Sequence, residues 1–322
     1  MEQLEASTES EAMYPISHKT IFVVDESPNF VGSSCNQAIE IDVPSKSRSG
    51  HPLPPLTKSL WTCAIEGIAE YCRIVWDIFP DGERLISYVR TPQGVVCTQK
   101  GAVLAWRQEE QSLPVLMNNL IWTSRESMVA KFAAVRKQDH SNLVAGFQDA
   151  IEAIGRPSDV QMKALKKSGK ILNRGRIICI SMFANDAQIM ALQEKLSQLV
   201  DVYNEAVSVA KSDKNGRGTD GKTNVGIDGK CDTSDNRLTI DTLDILFLNT
   251  VPLNDNSQSS KIVNIPNHQV SANLTSEVTS SRSGTFLSQK LTSLVLKHYN
   301  LASTTVTGNS IFSPVHVHLD RN

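Results

Sequence analysis

The chain alternates short apolar runs with amphipathic stretches, and the segments between them hold almost no large apolar residue. Ile21 to Val24 is an unbroken, partly β-branched run, the pattern of a strand buried on both faces. Ile177 to Ile180 and Leu243 to Leu248 repeat it. Elsewhere the period is helical. Trp61, Ile65, Ile68, Cys72, Val75 and Phe79 recur at steps of three and four until Pro80-Asp81-Gly82 stops them. Leu143, Phe147, Ile151 and Ile154 predict a helix over Asn142 to Ile154. Ile189, Leu192, Leu196, Leu199, Tyr203 and Ala206 predict one over Ala187 to Val209, and Leu287, Leu291, Leu294, Val295 and His298 one over Phe286 to Tyr299. Shorter patterns suggest strands at Leu85 to Arg90, Val95 to Cys97 and Val103 to Trp106, and a helix over Leu113 to Trp122 that Arg125 to Gln138 either extends or leaves. Strands alternating with helices predict a doubly wound, mostly parallel α/β sheet over residues 17–301.

The polar segments set the expected boundaries. Residues 1–16 read as a disordered extension, and 31–57, 211–237 and 254–272 as surface insertions rich in Ser, Pro, Gly, Asp and Lys. Ser303 to Leu319 is β-like, so 302–322 reads as the start of a second, β-rich domain left incomplete. Composition adds limits. A net charge of −2 with 20% charged residues gives no global field to recruit nucleic acid or membrane, so any such contact needs a local patch. The six cysteines lack a C-x-x-C pair and read as reduced, mostly buried thiols of an intracellular protein. No apolar run approaches the ~20 residues that cross a bilayer, and a soluble nuclear or cytoplasmic protein is expected.

Candidate chemistry gathers where the first strand ends. Asp25-x-Ser27-x-Asn29 puts an acid, a hydroxyl and an amide in the loop leaving a strand, where ligands sit in open α/β sheets. Metal-ion-dependent adhesion sites of the von Willebrand factor A kind use D-x-S-x-S there, with a threonine before a later helix and an aspartate after the next buried strand. Ser141 holds the threonine position and is also a good helix cap. Met182 stands where the aspartate belongs, and a thioether is a poor ligand for Mg²⁺. Asp186 comes four residues late. The pattern reads as a degenerate Mg²⁺ site, with no cofactor expected. A phosphohydrolase using Asp25 as nucleophile is the weaker alternative, because Ser27 cannot act as the general acid of a D-x-D pair. Gly216 to Thr223 satisfies the P-loop pattern letter for letter, yet no buried strand feeds it and no helix follows. Lys163, Lys166, Lys167, Lys170, Arg174 and Arg176 run without an acid among them. If 159–172 is helical, the four lysines share a face that could neutralise phosphates, although a solvated helix face is the favoured reading. His316-x-His318 has strand spacing and no further ligand close by.

SHKTIFVVD (17–25), LTKSLWTCAIEGIAEYCRIVWDIFP (56–80), NRGRIICI (173–180), LTSEV (274–278) and NLASTTVT (300–307) together resemble the Asunder family, subunit 13 of the Integrator complex. The resemblance implies a von Willebrand A-like domain followed by a β-barrel, in a non-catalytic scaffold subunit paired with a sister subunit of similar architecture. It implies support of small nuclear RNA 3′-end processing and RNA polymerase II attenuation, nucleic-acid contact by the module, and a nuclear location with a perinuclear pool. Links to mitotic progression and to dynein at the nuclear envelope also follow from it. A metal-dependent ligand-binding module is the alternative.

Overall fold

The computed structural model describes residues 16–25, 27, 30, 34–38, 57–78, 85–90, 143–168, 171–216, 237–254, 262–299, 301–305 and 317–321. Its centre is a six-stranded sheet. In chain order the strands are β1 (Ile16–Val24), β2 (Ser34–Ala38), β3 (Thr57–Ser59), β4 (Leu85–Arg90), β5 (Leu172–Ser181), β6 (Thr242–Val251), β7 (Ile265–Ser271), β8 (Leu274–Arg282), β9 (Leu301–Thr305) and β10 (Val317–Arg321). The helices are α1 (Leu60–Ile78), α2 (Leu143–Gly155), α3 (Asp159–Ser168), α4 (Asp186–Gly216) and α5 (Thr285–His298). The main sheet runs β4-β1-β5-β6-β8-β7. β4, β1, β5, β6 and β8 are parallel, and β7 joins antiparallel at the edge. The fold is therefore mixed α/β with a mostly parallel sheet.

The strand alternation sorts the core into two layers. Phe22, Val24, Ile178, Ile180, Leu246 and Leu248 face α1 and α5, whereas Ile21, Val23, Ile177, Cys179, Ile245 and Phe247 face α2 and α4. Both faces are covered, which is why these strands read as continuous apolar runs. β1 is followed in the chain by β4 on one side and then by β5 on the other. The carboxyl ends of β1 and β5 thus flank the topological switch point, the usual ligand crevice of such sheets.

Three expectations need correction. The 254–272 segment contains β7, whose register shifts against β8 and whose polar residues hid it. Residues 31–57 contain β2, which pairs with β3 and buries Cys35. Helix α4 continues past Val209 to Gly216, into the stretch read as an insertion, and the inward position near its end is Val207, with Ala206 exposed. Gly216 therefore closes a helix and does not open a phosphate loop. β8 was not marked as a strand at all, because its large apolar residues are only Leu274 and Val278 and its inward Ser276 is polar. The strands expected at 95–97 and 103–106 and the helix at 113–122 lie outside the described residues. β9 and β10 pair antiparallel, as the β-like pattern there suggests.

Among the described residues, β7 is the outermost strand on its side. Its own side chains occupy its carbonyls: His268 Nδ1 lies 3.1 Å from Pro266 O, and Gln269 Nε2 donates to Ser271 O and, at 3.3 Å, to Ala272 O.

Candidate functional site

At the carboxyl edge the register aligns four polar residues in one row. Asp25 follows Val24, which pairs with Ile180; Ser181 pairs with Asn249, and Asn249 with Ser280. They bond sideways and inward. Ser181 Oγ donates to Asp25 Oδ2 at 2.6 Å, Asn249 Nδ2 to Ser280 Oγ at 3.2 Å, and the Phe183 amide to Asn249 Oδ1 at 3.0 Å. The second carboxylate oxygen of Asp25 takes the Ser27 amide at 2.7 Å, and Ser27 Oγ accepts the Phe30 amide at 3.3 Å. Asp25, Ser181 and Asn249 are all buried. Burial, and after it the Asp25 carboxylate, push the Cys179 thiol well above its ordinary range.

The segment after β1 then crosses this edge. Phe30 and Cys35 are fully buried in the core layer under α1 and α5. Cys35 O accepts the Leu253 amide at 3.1 Å and Ser283 Oγ at 3.2 Å, just beyond the ends of β6 and β8.

These contacts bear on the Mg²⁺ pattern. Of its four residues, Asp25 and Ser27 are described, while Asn29 and Ser141 lie outside. Both oxygens of Asp25 are engaged by protein donors. Met182 packs against the apolar layer of α1 and α5, and Asp186 Oδ1 accepts the Val263 amide at 3.0 Å. A hard cation needs several oxygens turned toward it, and the two described residues of the pattern, Asp25 and Ser27, each already accept a hydrogen bond from the protein. Among the described residues no cluster of three or more His, Cys, Asp or Glu could hold a metal. Ser181 is the residue that sequence reasoning missed, one position before the Met182 it inspected.

The opposite, amino edge carries the basic run. Lys163, Lys166 and Lys167 are exposed on α3, with no ion-pair partner among the described residues. Lys170 lies outside the described residues, beyond the end of α3 at Ser168. Arg174 and Arg176 do not continue the stripe. They sit on β5 in alternation with Ile178 and Ile180, on the α1 and α5 face, and the Arg176 guanidinium lies 5.9 Å from the Tyr299 ring. A strand sends its even positions one way and its odd positions the other, so six sequential cations become separate groups.

Beneath α3 lies a polar hub that the sequence did not announce. Lys19 is 1% exposed, and its ammonium donates to Ile154 O at 2.7 Å, Arg156 O at 2.5 Å and Asn173 Oδ1 at 3.2 Å. Carbonyls at the carboxyl end of α2 favour a cation there. Burial nevertheless drives the Lys19 pKa well below its ordinary value. Asn173 Nδ2 donates to Ile154 O and Thr239 O, and its backbone amide donates to Asp241 Oδ2. Gln161 Nε2 reaches Asn173 Oδ1 at 3.2 Å. Gln161 also closes a reciprocal cap with Ser158, its amide on Ser158 Oγ and its Oε1 on the Ser158 amide.

With this geometry in hand, the chain matches the family model described as the cell cycle and development regulator Mat89Bb over residues 14–215 and 228–311. The chain belongs to that family. Curated relatives of this Mat89Bb member include the Integrator complex subunit 13 of Xenopus tropicalis, 30% identical over 312 residues that cover 95% of this chain and 38% of that protein. The Integrator complex subunit 13 of Homo sapiens is 30% identical over the same shares. The protein asunder of Drosophila willistoni is 31% identical over 310 residues, 92% of this chain and 39% of that protein. The resemblance to the Asunder family is thereby established. The chain spans under two fifths of the length of these relatives. No helix among the described residues is long and apolar enough to cross a membrane.

Proposed function

We propose that this chain acts as a non-catalytic scaffold subunit of an Integrator complex. The observation that carries the reading is a carboxyl edge whose polar groups bond one another: Asp25 takes the Ser181 hydroxyl between β1 and β5, and Cys35 O takes donors beyond the ends of β6 and β8, leaving faces and helices as its working surfaces. Family membership supplies the complex. On this reading the sheet is von Willebrand A-like over 17–301, and β9 with β10 opens a β-barrel that 302–322 begins. The subunit pairs with a sister of the same architecture. It supports small nuclear RNA 3′-end processing and RNA polymerase II attenuation and termination, in the nucleus with a cytoplasmic, perinuclear pool. Roles in mitotic progression and in dynein localisation at the nuclear envelope belong to the same reading. Affinity purification from nuclear extract tests it: other Integrator subunits co-purify with the tagged chain, and their absence overturns it. Calorimetric titration with Mg²⁺ addresses the rival metal module. Saturable binding that Asp25→Ala abolishes establishes that rival, and a generic phosphate ester turned over above background establishes a phosphohydrolase.

A second role is favoured by the exposed lysines of α3, which face solvent without acid partners among the described residues. Lys163, Lys166 and Lys167 make a weak, salt-sensitive, sequence-indifferent contact with nucleic-acid phosphates, with Lys170 as its sequence continuation. Replacing all four by Glu abolishes that binding; unchanged affinity removes the idea.

A further inference from the structure

Helix α3 is attached to the sheet in an unusual way. Helices normally dock by an apolar stripe, as α2 does with Leu143, Phe147, Ile151 and Ile154. Among the described side chains of α3, the one that is buried is Gln161, at 4% exposure, while Met162 and Leu165 are only half-buried. Among the described side chains, α3 is tethered to the sheet by the Gln161 amide on Asn173 Oδ1, the same oxygen that receives the Lys19 ammonium. Asn173 in turn is pinned by Ile154 O, Thr239 O and Asp241, so α2, β1, β5 and the segment before β6 all converge on it. A fully satisfied buried network of this kind gives direction as well as attachment, because each bond has a narrow angular range.

We propose that Gln161, Asn173 and Lys19 form a mount that fixes the angle of the α3 lysine face, so that polyanion contact there depends on residues that never touch the polyanion. The inference rests on the reading of α3 as a phosphate-contacting helix. Lys19 and Asn173 are each 1% exposed and cannot meet a ligand; they are positioning residues. The mount holds Lys163, Lys166 and Lys167 in register on one rigid face, where an α3 held only by its ends would present them over a range of angles and lose affinity to ordering.

The experiment uses the full chain, a single-stranded oligothymidylate as probe, and amide hydrogen exchange of α3 and β5. Three variants are compared. The triple variant Lys163→Glu, Lys166→Glu, Lys167→Glu tests the contact itself. Gln161→Met removes the tether, and with it the Oε1 half of the cap, with little change of volume. Ser158→Ala removes the Oγ half of the cap and leaves the tether, so it reports what capping alone contributes to helix stability. The mount predicts that Gln161→Met lowers affinity several-fold and strips exchange protection from α3 but not from β5, whereas Ser158→Ala frays only the first turn and leaves affinity near wild type. Loss of binding in the triple variant with wild-type affinity in Gln161→Met overturns the mount and spares the contact. Equal losses in Gln161→Met and Ser158→Ala also overturn it, because helix stability then explains both. Wild-type binding by the triple variant overturns the contact and the mount with it. Should Gln161→Met disturb β5 as well, the wild type decides: α3 amides that exchange as freely as a frayed end refute a rigid mount, and protection close to that of β5 sustains it.

Discussion

The two edges of the sheet invert the usual division of labour. In open α/β proteins the carboxyl edge is the irregular, chemically loaded one, and the amino edge is plain structure. Here the carboxyl edge is tied shut by short lateral bonds, and the amino edge buries a lysine, an asparagine and a glutamine in one network. A polar residue at a strand end is therefore a poor guide to chemistry until its partners are known. Asp25 looks like a ligand in isolation and like a strut once Ser181 and the Ser27 amide are found on it.

The comparison breaks hardest at Asn173. Asn173→Leu orphans donors and acceptors from four segments and leaves the Lys19 ammonium short of an oxygen, a loss of about 3–5 kcal/mol. Chemical denaturation should show it as a lower midpoint with little change in slope. At the carboxyl edge, Asp25→Ala is expected to cost less, about 1.5–3 kcal/mol for charge-assisted bonds. A double-mutant cycle with Ser181→Ala should return a coupling of about 1–2 kcal/mol; additive losses would mean that the two residues do not act as one clasp.

The amino edge also sets a pH dependence. Burial, then the nearby Arg176 and Lys297 charges, lower the His298 pKa to about 3, with its Nδ1 3.0 Å from the Tyr71 hydroxyl. The folded state keeps this ring neutral while the unfolded chain protonates it below about pH 6.5. Between those values the unfolded state binds the extra proton, so stability falls as pH falls, by about 2 kcal/mol at pH 5 from this group. His298→Asn should flatten the acid limb of stability against pH relative to wild type. Lys19 has the same sign at the other end. Its depressed pKa makes stability rise with pH up to the ordinary lysine value, where the unfolded chain also loses its proton. A further effect sits where two elements touch closely. A Cβ on Gly175 would meet Ile154 Cδ1 at 2.7 Å and Cγ2 at 2.8 Å, and a β-branched side chain has little room to turn away. Gly175→Ala should cost about 1–3 kcal/mol by overpacking, read as a shift in melting temperature.

The legible parts of this fold were those built from apolar periodicity. The large apolar residues expected on the inward faces of α2 and α5 are all buried, although His298 is only half-buried, and β1, β5 and β6 lie where their continuous runs put them. What escaped was built from buried polar residues. β8 hides because Ser276 fills a core position by bonding to Gln193 Nε2 at 2.8 Å, and no hydrophobicity pattern detects a serine satisfied in that way. Lys19 did leave a trace: it stands two residues ahead of the run Ile21 to Val24 predicted to be buried on both faces, and alternation puts it on the same face as Ile21 and Val23. A charge in that position calls for a partner in space, and only the fold could supply Ile154, Arg156 and Asn173. The split of the basic run follows the same logic, since the change from helix to strand between Ser168 and Leu172 re-aims every side chain after it.

The modest strand β7 has a bearing on how such a chain survives before it meets a partner. A bare outer strand is a template on which identical copies can stack. With Pro266 in the strand and the His268 and Gln269 side chains lying on its carbonyls, that template is blunted along this border. Growth by sheet extension is thereby discouraged along this border, and a second copy that meets it finds fewer bare carbonyls on which to lay a strand.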